Sequence, residues 1–217
     1  MSLEAAEKIG FVGICDRASA WILGEEEVPP QAAFAMMGYD YSDLETGINA
    51  QQHMAESSER VNYIRNFGFS IPCVEALDEL AKLEPLLEVG AGTGMWSLLL
   101  KRRGVDVWST DKNVGDSGYY LTAGCYDLDE RIDGIAAARK YPHLNIFCSW
   151  PPRDSWLATV IEEMDSGISI AHIADRDCCA NERFYQILKS DFEEIETGVI
   201  IPQFRGLHDE FQVWKKL

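Results

Sequence analysis

The segment from Leu86 to Gly94, LLEVGAGTG, constrains the fold of this 217-residue chain more than any other stretch of the sequence. Its first part is a short, largely apolar run that ends at Val89, which is typical of a strand buried in a parallel sheet. Glycine then occupies alternate positions, 90, 92 and 94. Glycine permits a sharp turn, lets a ligand lie against bare backbone, and allows the next helix to pack closely against the strand. The segment therefore predicts a strand, a ligand-binding turn and the start of a helix.

The spacing of these glycines discriminates between classes of ligand. A dinucleotide-binding loop has the pattern G-x-G-x-x-G, whose third glycine would fall at Met95 in this chain. A second apolar run, one crossover later, ends at Thr110 and is followed by Asp111, whose carboxylate can accept hydrogen bonds from both hydroxyls of a ribose. Glu88, at the end of the first strand, either orients the loop or contacts the amino group of a bound amino acid. The pattern disfavours a pyrophosphate, and with it a nicotinamide-dependent oxidoreductase.

The chain from this loop to the C-terminus alternates between the periods of strands and helices. Further strands are predicted over 105–110, 144–150, 167–174, 195–201 and 210–215, with a short strand near 125–128 after a turn-rich stretch that holds Gly115, Gly118 and Gly124. Helices are predicted over 95–103, 132–140, 155–164 and 182–189. This alternation predicts right-handed crossovers and a parallel sheet with helices on both faces. No helix separates the last two strands, so the last should run antiparallel. The expected fold class is α/β, a Rossmann-like sheet of seven mostly parallel strands.

Residues 1–70 precede this pattern and residues 71–217 contain it. The sequence thus predicts a helical N-terminal extension or lid, followed by one Rossmann-like domain. A chain of this length can bury about 70 per cent of its unfolded surface in a single core. We expect Tyr63, Phe67 and Phe69 to cover the ligand side of the sheet, the alternative being simple packing against the edge of the sheet.

The balance of charge bears on the partners of the protein. Acidic residues number 36 and basic residues 19, for a formal charge of -17, and a surface of that sign repels phosphate backbones. Nucleic acid is therefore disfavoured as a partner. The six cysteines show no C-x-x-C spacing, and no apolar run reaches the roughly 20 residues that span a bilayer. We expect a cytoplasmic protein with reduced thiols and no membrane segment, and the sequence leaves its oligomeric state open.

The glycine loop and Asp111 resemble the first motif, and the acidic residue after the second strand, of the class I S-adenosylmethionine-dependent methyltransferases, over roughly residues 71–217. The resemblance implies that S-adenosylmethionine is bound by Glu88, Gly90, Ala91, Gly92, Gly94 and Asp111. It also implies methyl transfer to a small-molecule or protein acceptor; the alternative is a non-catalytic cofactor-binding or interaction module with the same fold. Residues 150–152 and 201–209 are similar to a small group of uncharacterised microbial and fungal proteins of this fold.

Candidates for contact with the acceptor come from the carboxyl ends of the other strands, where ligands of α/β sheets bind. The segment from Trp150 to Arg153 resembles the Pro-Pro motif of amino-methyltransferases, but Trp150 replaces its polar residue and Arg153 its aromatic one. The prolines either leave main-chain carbonyls free to accept hydrogen bonds from a substrate or simply precede the N-cap of a helix that begins near Asp154 or Ser155. The candidate catalytic residues are Trp150, Asp154, Asp175 and His208.

His208 and its neighbour Asp209 lie ahead of the last predicted strand, on the edge of the sheet where the substrate is expected. A histidine with an ordinary pKa near 6.5 can take the proton that a nucleophile loses on methylation. Displacement at a sulfonium methyl group relies on proximity. No metal site is expected, and no catalytic triad is required.

Overall fold

The computed structural model describes residues 14–37, 50–113, 125–154 and 156–217. The predicted turn-rich stretch with Gly115, Gly118 and Gly124 lies outside these residues. The helices are α1 (Ile14–Leu23), α2 (Gln31–Met37), α3 (Ala50–Asn66), α4 (Val74–Ala81), α5 (Met95–Arg102), α6 (Gly134–Lys140), α7 (Trp156–Glu163) and α8 (Glu182–Asp191). The strands are β1 (Leu86–Val89), β2 (Val107–Thr110), β3 (Asn145–Ser149), β4 (Ser169–Asp175), β5 (Phe192–Ile195) and β6 (Asp209–Lys216). None of the described helices is long and apolar enough to cross a membrane.

The six described strands form one sheet in the order β2-β1-β3-β4-β6-β5. Neighbouring strands among β1 to β4 pair in parallel, whereas β6 runs antiparallel to both β4 and β5. The predicted Rossmann-like α/β sheet with an antiparallel last strand is thus confirmed. Because β1 to β4 are parallel, their carboxyl ends meet at one edge of the sheet, where ligands of this architecture bind.

The prediction of seven strands is wrong for the described residues, because the segment near 125–128 forms no strand. Among the described residues, β-type pairing just after this segment is limited to one isolated bridge between Thr110 and Glu130. The carboxylate of Asp129 accepts from the N–H of Ser109 at 2.8 Å, so a side chain takes the place of the backbone acceptor that a further strand would supply. Competition of this kind from an aspartate favours irregular structure over a ladder.

The strand predicted over 195–201 is also displaced, since β5 occupies Phe192–Ile195 and shares only Ile195 with it. Gly198 has a φ of 67°, which interrupts an extended chain. The N–H of Ile200 donates to the side chain of Gln31 at 2.8 Å rather than to β6. The residues after β5 therefore pack against the N-terminal helices and leave the sheet.

Helices cover both faces of the sheet, as predicted. Alternate residues of a strand point to opposite faces, and the core divides accordingly. Leu86 and Phe147 pack with α1 to α5, whereas their chain neighbours Leu87 and Ile146 pack with α6 to α8. The sheet is therefore buried on both sides, which explains why its central strands are so apolar.

His172 lies in the middle of β4 and is buried against the rings of Phe184 and Tyr185. Neither of its ring nitrogens has a hydrogen-bond partner among the described residues. An unsatisfied buried polar group costs about 1 to 3 kcal/mol. Burial also lowers the pKa of His172 to about 4, so the ring is neutral at neutral pH.

Replacing His172 by phenylalanine is therefore expected to stabilise the protein by about 1 kcal/mol at neutral pH. The gain should grow as the pH falls from 6.5 towards 4. Over that range His172 of the wild type binds a proton in the unfolded chain but not in the folded one, which favours unfolding. Urea unfolding at two pH values measures this, with the exposed His143→Phe as control. A less stable His172→Phe at both pH values would show that the nitrogens are satisfied in the folded protein.

Candidate active site

The glycine-rich loop begins directly after β1, at the carboxyl edge of the sheet. Gly90, Gly92 and Gly94 have φ values of 72°, 58° and 74°, a region that residues with a side chain rarely adopt. The N–H of Ala91 donates to the carbonyl of Thr110 at 3.0 Å, and the N–H of Gly94 donates to the carbonyl of Ala91 at 2.9 Å. The loop is thus a tight turn whose backbone is tied to the end of β2.

Asp111 follows β2 and lies against this loop. One carboxylate oxygen accepts from the N–H of Gly92 at 2.9 Å, and the other accepts from the N–H of Asn113 at 2.7 Å. The structure therefore brings together the two features that the sequence predicts as parts of one site, the glycines after β1 and the acid after β2.

Glu88 ties the end of β1 to the first turn of α5. Its side chain is 1% exposed and accepts from the N–H of Ser97 at 3.1 Å and from the Ser97 hydroxyl. Burial raises the pKa of Glu88 to about 8, although the hydrogen bonds from Ser97 act in the opposite direction. These contacts fit the loop-orienting role better than direct contact with a ligand.

The electrostatics of the loop suit a cation better than an anion. Amide groups at a helix N-terminus ordinarily attract phosphates, but here the N–H groups of Gly92 and Ser97 already bond to carboxyl groups of the chain itself. Asp127 also borders the loop, because a Cβ added to Gly94 would stand 1.7 Å from its carbonyl oxygen. A pyrophosphate would have to displace or approach acidic groups, whereas a cationic ligand is attracted by them.

The end of α3 and the segment after residue 124 border the loop from outside the sheet. Tyr126 donates its N–H to the carbonyl of Thr93 at 2.7 Å and its hydroxyl to the carbonyl of Asn66 at 2.8 Å. The hydroxyl of Thr93 donates to the carbonyl of Phe67, and the rings of Phe67 and Tyr126 stack with centroids 6.3 Å apart. Phe67 thus contacts the loop region where the sequence predicts a cover.

Lys101 makes a contact that sequence reasoning missed. Its ammonium lies 2.6 Å from a carboxylate oxygen of Asp127 and 2.7 Å from one of Asp129. This ion pair fastens α5 to the segment that borders the loop. The sequence contains the D-x-D spacing at 127 and 129, but nothing local indicates that a lysine in α5 reaches it.

Trp150 follows β3 and forms the centre of a second cluster at the same edge of the sheet. It adopts a φ of 54°, and its indole N–H donates to the Asp209 carboxylate at 2.9 Å. The ring of Phe69 stacks on the indole at 5.3 Å, and the guanidinium of Arg60 lies 5.7 Å from its centre. Aromatic and charged groups from α3 and the residues after it therefore meet the end of β3 here.

Asp175 and Asp209 are buried neighbours across the β4–β6 pair. Asp175 accepts from the N–H groups of Asp177 and His208, both at 2.9 Å. The His208 ring is 64% exposed, and its Nδ1 lies 3.9 Å from the same carboxylate. Asp154 is exposed, and within the described residues no hydrogen bond or ion pair joins it to these groups. Of the four candidates, Trp150, Asp175 and His208 are brought together, with Asp209 between them.

Burial raises the pKa of Asp209 to about 7, and the negative charge of Asp175 adds to the rise. The hydrogen bond from Trp150 and the charge of Arg60 act in the opposite direction. A carboxyl group that titrates near neutral pH can accept a proton from a substrate and release it again. The arrangement provides a group that can accept a proton at the edge of the sheet where ligands of this architecture bind.

No protein-family model and no curated protein matches the sequence. Several solved structures are similar in fold. Magnesium protoporphyrin IX methyltransferase from Synechocystis PCC 6803, with bound SAM, is 15% identical with a TM-score of 0.44, over 82% of this chain and 88% of that one. TehB from Haemophilus influenzae is 16% identical with a TM-score of 0.42, over 73% and 67%. Human N-acetylserotonin methyltransferase, in complex with SAM, is 14% identical with a TM-score of 0.38, over 94% and 67%. Likeness at this level does not identify a function.

Proposed function

We propose that this protein is an S-adenosylmethionine-dependent methyltransferase that acts on a small-molecule or protein acceptor. The observation that carries the proposal is the contact between the Asp111 carboxylate and the N–H of Gly92, 2.9 Å apart. This bond joins an acid that follows β2 to the glycine turn that follows the neighbouring β1, at the carboxyl edge of a parallel sheet. An acid at this place supports the proposal because it can accept hydrogen bonds from both hydroxyls of a ribose.

The residues present fit this cofactor. One side of the loop is bare, since a Cβ added to Gly90 would meet only the Trp156 ring, at 3.8 Å. Asp111 would hold the ribose hydroxyls by accepting their hydrogen bonds, and the acidic groups that border the loop would attract the positive charges of the cofactor. Glu88 holds the turn in place. When bound, S-adenosylmethionine supplies a methyl group on a positively charged sulfur atom, which a nucleophile displaces in line.

The cluster around Trp150 is proposed to receive the methyl acceptor. In this assignment Trp150 forms a wall of the site, and its indole N–H fixes the orientation of Asp209. Asp209 accepts the proton that the nucleophile loses, since its pKa of about 7 matches that task. Asp175 supplies the neighbouring negative charge, and His208 lies at the rim.

Residues 1–70 are proposed to act as the lid of this site. The segment that follows α3 is fastened across the carboxyl edge of the sheet, because the hydroxyls of Ser70 and Ser149 lie 2.6 Å apart. The indole N–H of Trp96 donates to the same Ser70 hydroxyl at 3.1 Å. These contacts join the loop helix α5, the end of β3 and the N-terminal extension.

Calorimetry with S-adenosylmethionine tests the proposal, and Asp111→Ala is expected to bind it at least tenfold more weakly. Loss of a charge-assisted hydrogen bond costs about 1.5 to 3 kcal/mol, and about 1.4 kcal/mol corresponds to a factor of ten. Asp106→Ala is the matched control, since Asp106 is an exposed aspartate just ahead of β2.

Equal binding by Asp111→Ala and the wild type would contradict the assigned role of Asp111, and absence of binding by the wild type would contradict the function. Binding of S-adenosylmethionine without transfer to any member of a broad acceptor panel would instead support a non-catalytic binding module. Tighter binding of a nicotinamide dinucleotide would support an oxidoreductase.

A further inference from the structure

A surface groove of about 460 Å³ runs along the outer edge of β6. It is lined by residues 194–201, Gln203 and 209–212. β4 pairs with β6 from Asp209 to Lys215, but β5 pairs with it only from Val213 to Lys216. Within the described part of the chain, no strand lies beside the outer edge of residues 209–212. The groove is the space that β5 would fill if it continued as a strand.

An open strand edge offers backbone donors and acceptors to any extended chain that lies beside it. The carbonyl of Asp209 shows which way these groups point, because it accepts from the side-chain amide of Gln203 at 3.1 Å. Backbone groups of alternate residues in an antiparallel strand point to the same side. The N–H and C=O of Phe211 therefore face the groove as well, two residues beyond Asp209, where the Gln203 side chain substitutes for a strand.

The groove has a charge that selects its occupant. Of its thirteen lining residues, all of them described, four are acidic and none is basic. The acidic ones are Glu194, Glu196, Asp209 and Glu210. Two large apolar side chains stand on its wall, with Ile195 40% and Ile200 63% exposed. An extended chain in which basic and apolar side chains alternate would match both features, because a strand presents alternate residues to opposite sides.

The groove ends at the candidate acceptor site. Asp209 lines the groove and also accepts the hydrogen bond from the Trp150 indole. A chain paired with the edge of β6 at Phe211 therefore lies next to Gln203 and Asp209, beside this cluster. This connection makes the groove more than a surface patch, since its occupant is placed where a methyl acceptor is needed.

We propose that an extended basic segment of a partner protein adds to the edge of β6 in this groove, and that an amine side chain of that segment is the methyl acceptor. The inference rests on the proposed methyltransferase function. In the step it implies, the amine nitrogen forms the bond to the methyl carbon as the carbon–sulfur bond of the donor breaks, with that electron pair going to sulfur. The proton that the nitrogen loses passes to Asp209.

Binding of a labelled peptide tests the groove without the cofactor. Fluorescence anisotropy with a fluorescein-labelled peptide of alternating lysine and valine should show binding that an equally long glutamate–valine peptide lacks. The variant Glu194→Lys/Glu196→Lys should bind the lysine peptide at least tenfold more weakly. The control Asp165→Lys/Asp191→Lys has the same change in net charge at exposed positions near the amino ends of the strands, and should bind within twofold of the wild type. Equal losses of affinity in both variants would contradict binding of the peptide in the groove.

A peptide with alternate backbone amides N-methylated separates strand addition from attraction between charges. It keeps every side chain but loses the donors that pair with an open edge, so it should bind at least tenfold more weakly. Unchanged binding would overturn strand addition to β6.

The assignment of the acceptor is tested by incubating the bound lysine peptide with S-adenosylmethionine and measuring the mass of the product by mass spectrometry. A gain of one or more methyl groups on lysine is the expected result. If the protein binds both S-adenosylmethionine and the peptide and transfers nothing, the acceptor assignment is overturned. If S-adenosylmethionine fails to bind, the proposed function fails instead. The anisotropy measurement still shows whether the groove binds the peptide.

Discussion

Gly94→Ala is expected to lower the free energy of unfolding by about 3 kcal/mol or more and to abolish binding of S-adenosylmethionine. Gly94 has a φ of 74°, and a left-handed conformation costs a residue with a side chain about 1 to 2 kcal/mol. The new Cβ would also stand 1.7 Å from the carbonyl oxygen of Asp127 and 2.6 Å from its carbon. These atoms belong to the backbone, so the segment that borders the loop has to move away from it. Overpacking of this kind adds about 1 to 3 kcal/mol.

Gly104→Ala separates the cost of the left-handed backbone from the cost of the clash with Asp127. Gly104 has a φ of 82°, and a Cβ there would meet nothing within 4 Å, so this variant carries the conformational cost alone. Urea unfolding of both variants should show a loss at Gly94 at least twice that at Gly104, and calorimetry should show intact cofactor binding for Gly104→Ala. Equal losses would mean that the Asp127 segment does not lie against the loop.

The glycine loop could be predicted from the sequence because its conformation depends on neighbouring residues. Left-handed backbone at alternate positions requires glycine, and the strand before it is visible as an apolar run. The location of Asp111 beside the loop could be predicted from a general property of parallel sheets, namely that the carboxyl ends of adjacent strands share an edge. Its bond to Gly92 is the result that this geometry leads one to expect.

The edge of the sheet could not be predicted in the same way. Residues 195–201 have a composition suited to a strand, but the N–H of Ile200 bonds to Gln31, 169 positions earlier in the chain. Likewise, the segment near 125–128 forms no strand, and the N–H of Ser109 in β2 donates to the side chain of Asp129 instead of to a strand backbone. Strand propensity reflects packing against neighbours, and no local pattern identifies neighbours so distant in sequence.

The cluster around Trp150 could be predicted only by residue type. Trp150 and Asp209 are separated by 59 positions, and Arg60 reaches them from α3. The sequence suggested His208 as a proton acceptor, because histidine is a common general base. In our proposal Asp209 has this role, because burial and the charge of Asp175 raise the pKa of its carboxyl group to about 7. Burial arises from tertiary packing, so this change in pKa has no signature in the sequence.

Glu88→Gln is expected to remove a large part of the pH dependence of stability. The pKa of Glu88 is raised from 4.5 to about 8 in the folded protein, so its contribution to stability is fully present below pH 4.5 and is lost as the pH rises through 8. Each unit of difference in pKa corresponds to about 1.4 kcal/mol, which places the loss at about 3 to 5 kcal/mol between pH 5 and pH 9. Glutamine keeps an oxygen that accepts from Ser97 and cannot ionise, so the variant should show none of this loss.

Urea unfolding of the wild type and Glu88→Gln between pH 5 and pH 9 measures the contribution of Glu88 to stability, as the difference between their free energies of unfolding. Asp209 also has a raised pKa and changes stability in the same direction, but it is present in both proteins and cancels. The exposed Glu25→Gln should follow the wild type throughout. Parallel curves for Glu88→Gln and the wild type would mean that Glu88 is already ionised at pH 5. The negative charge at the loop would then be one unit larger than with a neutral Glu88. If instead the curves diverge above pH 6, the loop carries a neutral Glu88 at working pH. The attraction for a cationic cofactor would then come from Asp111 and the Asp127 segment, which the Asp111→Ala calorimetry measures directly.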